Sequence, residues 1–395
     1  MVDFRPFRPL IPRLSNGEGM IERVSPPYDV ISSEELARLK AQRYNVTNIT
    51  LGGVDGNYSA AGKLLESWLK EGALSQDRME SFYTYKQTFC QGENCWQRTG
   101  IIGILAAKGY TEGVVPHEET FSKVKEDRLN LLRGTETHCE SIFGIFDKLS
   151  ARTKDLMDDK ETRVLEFTDP QGVRHCLFRI CDVDAIKALT EELKDKTVLI
   201  ADGHHRFETA SRYAEENPDD VKKGYVLTTL VPSNDPGLLV YPTHRLVKEL
   251  AIPAERFLKI MGEGFELTQM KDPATLESAL NGRGPSDIGL VVEGRSYLAS
   301  PKDLPSDPMW EIDSYVCQEM VLKGDAWPNE PSVEYEHDTQ KALSKVASGY
   351  RLMVLLRPPS VDMIWELARQ DRRMPKKSTY FWPKMWSGFV LYRMA

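Results

Sequence analysis

The 395-residue chain has no hydrophobic run long enough to cross a bilayer. Its longest apolar stretch, Gly100-Ile-Ile-Gly-Ile-Leu-Ala-Ala107, falls far short of the roughly 20 residues a spanning helix needs. The N-terminal Met1-Val-Asp-Phe-Arg-Pro-Phe-Arg-Pro-Leu-Ile-Pro-Arg13 carries no apolar segment of signal-peptide length, so a cytoplasmic location without membrane partners is expected. Excess basic charge is also missing: 51 Lys and Arg stand against 59 Asp and Glu, a net charge of -8. Nucleic-acid binders usually carry a basic excess to displace counterions, so no nucleic-acid partner is expected. Cysteine is sparse, at six residues, and without an export signal these read as reduced thiols. Cys90/Cys95 and Cys176/Cys181 each share a C-x4-C spacing, wider than the C-x2-C knuckles of structural zinc sites. Both pairs fall in β-like segments, which points to buried, metal-free thiols. Internal repeats and low-complexity tracts are absent.

What is present reads as a folded globular protein, with 41% hydrophobic and 28% charged residues. At about 150 residues per domain the length suggests two or three lobes. The pattern divides into an N-terminal α/β lobe (1–115), a core lobe (116–250) and a C-terminal α/β lobe (251–395), with Ala251-Ile-Pro253 at the last boundary. Ser32–Arg43 has serine caps, early acids and late bases, the polarity of a helix. Ala60–Leu69 is a second helix. Met79–Tyr110 reads as a hairpin about Gln91-Gly-Glu-Asn94, and Val164–Ile180 as another about Asp169-Pro-Gln-Gly172. The C-terminal lobe is expected to hold a hairpin (287–301), a helix near 308–322 and a strand at 353–356.

The most informative segment is Val198-Leu-Ile-Ala-Asp202-Gly203-His204-His205-Arg206-Phe-Glu-Thr-Ala210. A short apolar strand ends at Asp202, a glycine turns the chain, and a helix begins at once. Such a junction presents backbone N–H groups and a positive dipole end, a ready anion site. Gly203 allows close backbone approach, and His204, His205 and Arg206 add donors suited to phosphate oxygens. Asp202, at the carboxyl end of a strand, is placed to take a proton from a hydroxyl or to hold Mg²⁺ beside phosphates. The plainer alternative makes Asp202 a helix N-cap and the histidines solvated. A transition-metal site from Asp202, His204 and His205 is weaker, because adjacent side chains at a helix start diverge.

Other segments offer candidates to complete a site. His117 and Glu118, in the loop Pro116-His-Glu-Glu-Thr120, are candidates to face phosphates or Mg²⁺. Lys125 and Arg128, three apart, are able to share a helix face and grip an anion. The stiff Ser25-Pro-Pro-Tyr-Asp-Val30 either places Asp29 rigidly, as a candidate for substrate binding, or merely turns the chain. His244, Arg245 and Lys384 are candidates for substrate binding. Each of these has a structural alternative: a solvated face, a turn or a core contact.

The segment Ala201-Asp-Gly-His-His-Arg-Phe-Glu-Thr-Ala210 resembles the signature of the domain-of-unknown-function-1015 family. The likeness extends to Ser25–Val30, Pro116–Thr120, Lys125–Arg133, Ser141–Phe146, Tyr241–Arg245, Met374–Thr379 and Phe381–Lys384 with Gly388. The core motif is also similar, more distantly, to the G-x-[HR]-R phosphate loop of the ParB/sulfiredoxin-like superfamily, which includes free-serine kinases. That resemblance implies an α/β fold with mixed sheets, a ParB/sulfiredoxin-like nucleotide-binding core and flanking lobes. It further implies phosphate contacts at Gly203, His205 and Arg206, with Asp202 in the place of an acid that activates a hydroxyl. The leading expectation is therefore a nucleotide-dependent phosphotransferase using ATP or ADP with Mg²⁺ on a small-molecule alcohol such as free L-serine. Two alternatives stay open: a non-catalytic CTP- or ATP-binding regulator, and a metal-dependent phosphohydrolase.

Overall fold

A computed structural model describes the chain except for residues 15–16, 53–57, 112 and 120–121, and the side chains of 122–124. Thr120, the last residue of the Pro116–Thr120 block, therefore lies outside the described residues. The fold is mixed α/β, as expected, with helices packed on sheets that combine parallel and antiparallel neighbours.

The chain forms two compact units. The first comprises Met1–Pro116, Thr120–Leu239 and Pro383–Ala395, and the second His117–Glu119 with Val240–Trp382. This differs from a division into 1–115, 116–250 and 251–395, and the reason is strand pairing. Strand Asn94–Ala106 pairs antiparallel with Tyr225–Pro232, so the first two expected lobes share one sheet. The C-terminal 383–395 then returns to that same unit, which no local composition signal announces.

The sheet of the first unit has nine strands. From one edge they run Val114–Val115, Val198–Asp202, Ile142–Phe146, Tyr225–Pro232, Asn94–Ala106, Phe82–Gln91, Arg174–Ile180 and Thr162–Thr168, with Phe4–Arg5 beside Asn94–Ala106. Both expected hairpins form, at 82–106 and 162–180. The strand Val198–Asp202 is parallel to Val114–Val115 and antiparallel to Ile142–Phe146. Flanked on both sides and covered on both faces, its Val198, Leu199, Ile200 and Ala201 are all buried. A continuous apolar run suits that position, where an alternating pattern would not. The helix that follows, His204–Glu216, buries Phe207, Ala210 and Tyr213 at helical spacing. Phe207 joins Ile142, Phe146, Val198, Ile200, Val226 and Leu230 in one hydrophobic core.

The second unit is built on a six-stranded sheet, ordered Phe265–Met270, Arg295–Pro301, Ile288–Val292, Leu352–Leu355, His244–Val247 and Val333–Glu336. Leu290, Val292 and Val354 face one core with helix Ala254–Gly264, and Val291, Met353 and Leu355 face another with Leu276 and Leu280. The expected hairpin and the strand near 353 are both present.

The expectation for one cysteine pair fails as well. Cys90 and Cys95 are exposed and joined by a disulfide instead of lying buried as thiols. The cause is register: a two-residue turn at Gly92-Glu93 sets Cys90 directly opposite Cys95, with Cα atoms 4.1 Å apart. Cys176 and Cys181 carry free thiols, and Cys176 is buried. No group of three or more His, Cys, Asp or Glu among the described residues is arranged to hold a metal ion. Among the described residues, no helix is long and apolar enough to cross a membrane.

Candidate functional site

The strand Val198–Asp202 delivers Asp202 to its carboxyl end, and Gly203 follows at φ +92, a left-handed conformation that L side chains rarely adopt. Space also demands glycine there, since a Cβ would meet Ile142 Cγ2 at 2.9 Å and Arg206 Nη2 at 3.0 Å. The helix starts at His204 with Gly203 as N-cap and no side-chain cap, and Phe207 N–H donates to Gly203 O at 2.9 Å. The N–H groups of the first turn stand at the positive end of the helix dipole. The N-cap reading of Asp202 is replaced by a different one. Lys384 Nζ donates to Asp202 Oδ2 at 2.8 Å, and Arg206 Nη2 lies 3.8 Å from Asp202 Oδ1.

Arg206 folds back along its own helix turn. Its Nη1 donates to Ser141 O at 2.7 Å, and only 14% of the side chain is exposed. Burial works against its charge, but Glu140, Asp202, Tyr28 and Asp29 outweigh it and raise the guanidinium's pKa. Arg206 is thus a fixed cation beside the loop, partly committed to holding it. His204 is buried and His205 half-buried, with His205 O accepting from Thr209 Oγ1 at 2.6 Å.

Lys125 and Arg128, on helix Ser122–Thr135, go to separate partners. Lys125 Nζ pairs with Glu208. Arg128 is buried, donating to Tyr58 Oη at 3.0 Å and from Nε to Asp127 at 2.9 Å, with its guanidinium 4.6 Å from the Tyr28 ring centre. Its Nη1 faces Glu140 at 3.9 Å. Burial opposes the Arg128 charge, yet Glu140, Asp127 and Tyr58 raise its pKa. Arg128, Glu140, Arg206, His138 and Thr209 line a small cavity of about 30 Å³. Burial pushes the Tyr28 hydroxyl up to about 12, with Arg206 pulling the other way, so it stays protonated at neutral pH. Asp29 is exposed.

The Ser25–Val30, Lys125–Arg133, Ser141–Phe146 and Asp202–Arg206 blocks, with Lys384, thus gather in the first unit. The sequence reading missed Glu140 and Arg98. Glu140 abuts a recognised block but carries no periodic signal of its own. Arg98 lies on the same strand face as Gly100, Ile102 and Ile104, but the strand is buried on both faces from Gly100 to Ala106, so no alternating pattern announces it.

The remaining candidates lie in the second unit. His117 is buried, with Nε2 2.9 Å from Thr379 Oγ1 and its ring edge-on to Phe381. Glu118 bridges Met374 through the backbone, and Met374 N–H donates to His117 O at 2.8 Å. His244 Nδ1 accepts from Leu356 N–H at 3.2 Å, leaving Nε2 as the N–H toward Thr339 Oγ1 at 3.1 Å. Burial brings the His244 pKa down to about 4, so the ring is neutral and its nitrogens are spent inside the unit. Arg245 is buried against the carbonyls of Thr243 and Lys376, 5.0 Å from the Tyr335 ring centre, and burial lowers its pKa. His244 and Arg245 are both buried inside that unit.

Comparison with known proteins adds the family. No curated protein matches the sequence. Among solved structures, free serine kinase in complex with AMP shares 15% identity over 71% of this chain and 86% of that one, at a TM-score of 0.40. A variant of free serine kinase in complex with ADP shares 16% identity over 70% of this chain and 86% of that one, also at 0.40. SbnI with a C-terminal truncation from Staphylococcus aureus shares 8% identity over 72% and 84%, again at 0.40. Likeness at this level carries no chemistry, which rests on the chain's own residues. The model of the family described as "Protein of unknown function (DUF1015)" matches residues 4–319, and the chain belongs to that family.

Proposed function

We propose that the first unit binds a nucleotide through its phosphates at the start of helix His204–Glu216 and transfers a phosphoryl group to the hydroxyl of a small molecule. The observation that carries the reading is the junction itself. A positive-φ glycine at a strand end opens a helix without a side-chain cap, flanked by the cations Lys384 and Arg206. Backbone donors and a dipole end with two nearby positive charges make a site for a polyanion.

Asp202 supports transfer rather than binding alone. Its carboxylate stands at the same junction, where an acceptor hydroxyl meets the terminal phosphate. In the step proposed, the hydroxyl oxygen forms a bond to phosphorus and the phosphoanhydride bond breaks. The hydroxyl proton passes to Asp202, the phosphoryl group stays on the acceptor oxygen, and the bridging oxygen leaves as part of the shortened nucleotide, ADP from ATP or AMP from ADP. Lys384 stabilises charge developing on the phosphate oxygens and holds Asp202 in place. Where a magnesium ion enters with the nucleotide, Asp202 would serve as its ligand in place of the proton-accepting role. Such ions take one or two protein carboxylates and otherwise phosphate oxygens and water, and Asp202 is the carboxylate at hand. When bound, Mg²⁺ would neutralise phosphate charge.

Incubation with ATP or ADP, Mg²⁺ and free L-serine, read by phosphorus NMR, tests the reading. A phosphomonoester of the acceptor supports it. Nucleotide binding without turnover would reduce the protein to a regulator, and free phosphate would make it a hydrolase.

A further inference from the structure

Arg98 is the largest side chain buried to below 2% exposure. Arginine is seldom fully buried, because taking a guanidinium out of water is costly unless its donors are met. Here Nε donates to Gln87 Oε1 at 3.1 Å, and Nη2 donates to both Gln87 Oε1 and Pro383 O. Gln87 passes the contact on, donating from Nε2 to Lys384 O at 3.0 Å. Strand register builds this row: Gln87 lies opposite Arg98 in one hairpin and opposite His175 on its other side. The Arg98 guanidinium rests 5.1 Å from the Phe143 ring centre. Backbone packs behind it as well, since a Cβ on Gly237 would come within 2.6 Å of Arg98 N. Three residues further along, Trp386 sits 5.8 Å from His175 and 5.7 Å from Phe167, so the same segment is anchored twice.

The two carbonyls held in this way belong to Pro383 and Lys384, the residues that present the amine to Asp202. We infer that Arg98 and Gln87 are positioning residues that fix the 383–384 backbone so that Lys384 Nζ meets Asp202 Oδ2. The inference rests on reading Asp202 as the centre of the site. A lysine stem is long and flexible, and holding its amine at one point costs rotamer entropy unless its root is fixed. Only a forked donor reaches an amide oxygen and a backbone carbonyl together, which is why arginine suits the place and lysine does not. The residues matched by the family model end at 319, so the cation delivered to the motif comes from beyond them.

The test uses the full chain without nucleotide and follows acylation of individual lysines by a succinimidyl ester, peptide by peptide, with mass spectrometry. Gln87→Glu still accepts from Arg98 but no longer donates to Lys384 O, and Arg98→Lys keeps the charge but loses the fork. Asp202→Asn gives the reference rate for a Lys384 that has lost its partner's charge. Each positioning variant is expected to raise the Lys384 rate about fivefold, the worth of one hydrogen bond, while Lys125 is unchanged. If Arg98→Lys does not fold, Gln87→Glu decides alone. An unchanged Lys384 rate in folded variants, or an equal rise at every lysine, would overturn the inference. The readout needs no phosphate binding, so its failure and a failure of the proposed function are told apart.

Discussion

Asp202 carries a charge that the helix does not need for capping, since Gly203 occupies the N-cap position. Replacing it with Asn therefore separates chemistry from architecture. Asp202→Asn leaves Lys384 Nζ, with its side chain 14% exposed, facing a neutral amide, and stability is expected to fall by about 1–2 kcal/mol. Turnover is expected to fall by about 10²–10⁴, the usual contribution of a positioned base. Full phosphotransferase activity in a folded Asp202→Asn protein would remove Asp202 from the chemistry. A second residue-scale expectation concerns pH. Burial holds His138 and His244 down at about 4, from an ordinary 6.5. The unfolded chain binds these protons first as pH falls. The stability they contribute is therefore complete above about pH 6.5 and is lost toward pH 4, by up to about 1.4 kcal/mol per pH unit for each histidine. Urea unfolding between pH 7 and 4.5 reads this directly, and a flat profile would contradict it. His244 illustrates what the sequence conceals at this scale. Residue type marks a histidine as reactive, but only tertiary burial says whether its nitrogens are spent.

The elements that sequence disclosed best are those with strong local causes. Val198–Asp202 and His204–Glu216 follow from an apolar run, a glycine and a helical period, and their bounds match the expectation closely. The hairpins at 82–106 and 162–180 were legible from their turns. The disulfide was not, because it depends on register: one residue more in the turn at Gly92-Glu93 and Cys90 would no longer face Cys95. A thiol count tests this element. The denatured, unreduced protein is expected to show four thiols, those of Cys139, Cys176, Cys181 and Cys317, and six after reduction. Six thiols before reduction would leave the hairpin tip open. Gly203 gives a further expectation. Gly203→Ala faces both the left-handed backbone and the clash with Ile142, so it should destabilise by more than the ~1 kcal/mol that separates the two residues at a neutral site. Thermal unfolding measures it, and an unchanged midpoint would mean that the loop has another conformation.

At the scale of the molecule, sequence blocks far apart converge within units that the chain enters more than once. Residues 28–29, 125–128, 140–141, 202–206 and 384 share the first unit, whereas 117–118 and 244–245 belong to the second. Long-range pairing decides this partition, and a pass along the chain sees only its local cues. That is why the loop at Gly203 was readable while its partners Glu140, Arg98 and Lys384 needed the structure for their roles. The central claim is that the first turn of helix His204–Glu216 receives nucleotide phosphate. Backbone amide NMR of the deuterated chain, titrated with ADP and Mg²⁺, tests it most directly. Saturable shifts are expected at the amides of Gly203, His204, His205 and Arg206, reduced when Lys384 is changed to Ala. Saturable binding that leaves those four amides unmoved, or no binding at millimolar ADP, would contradict the account.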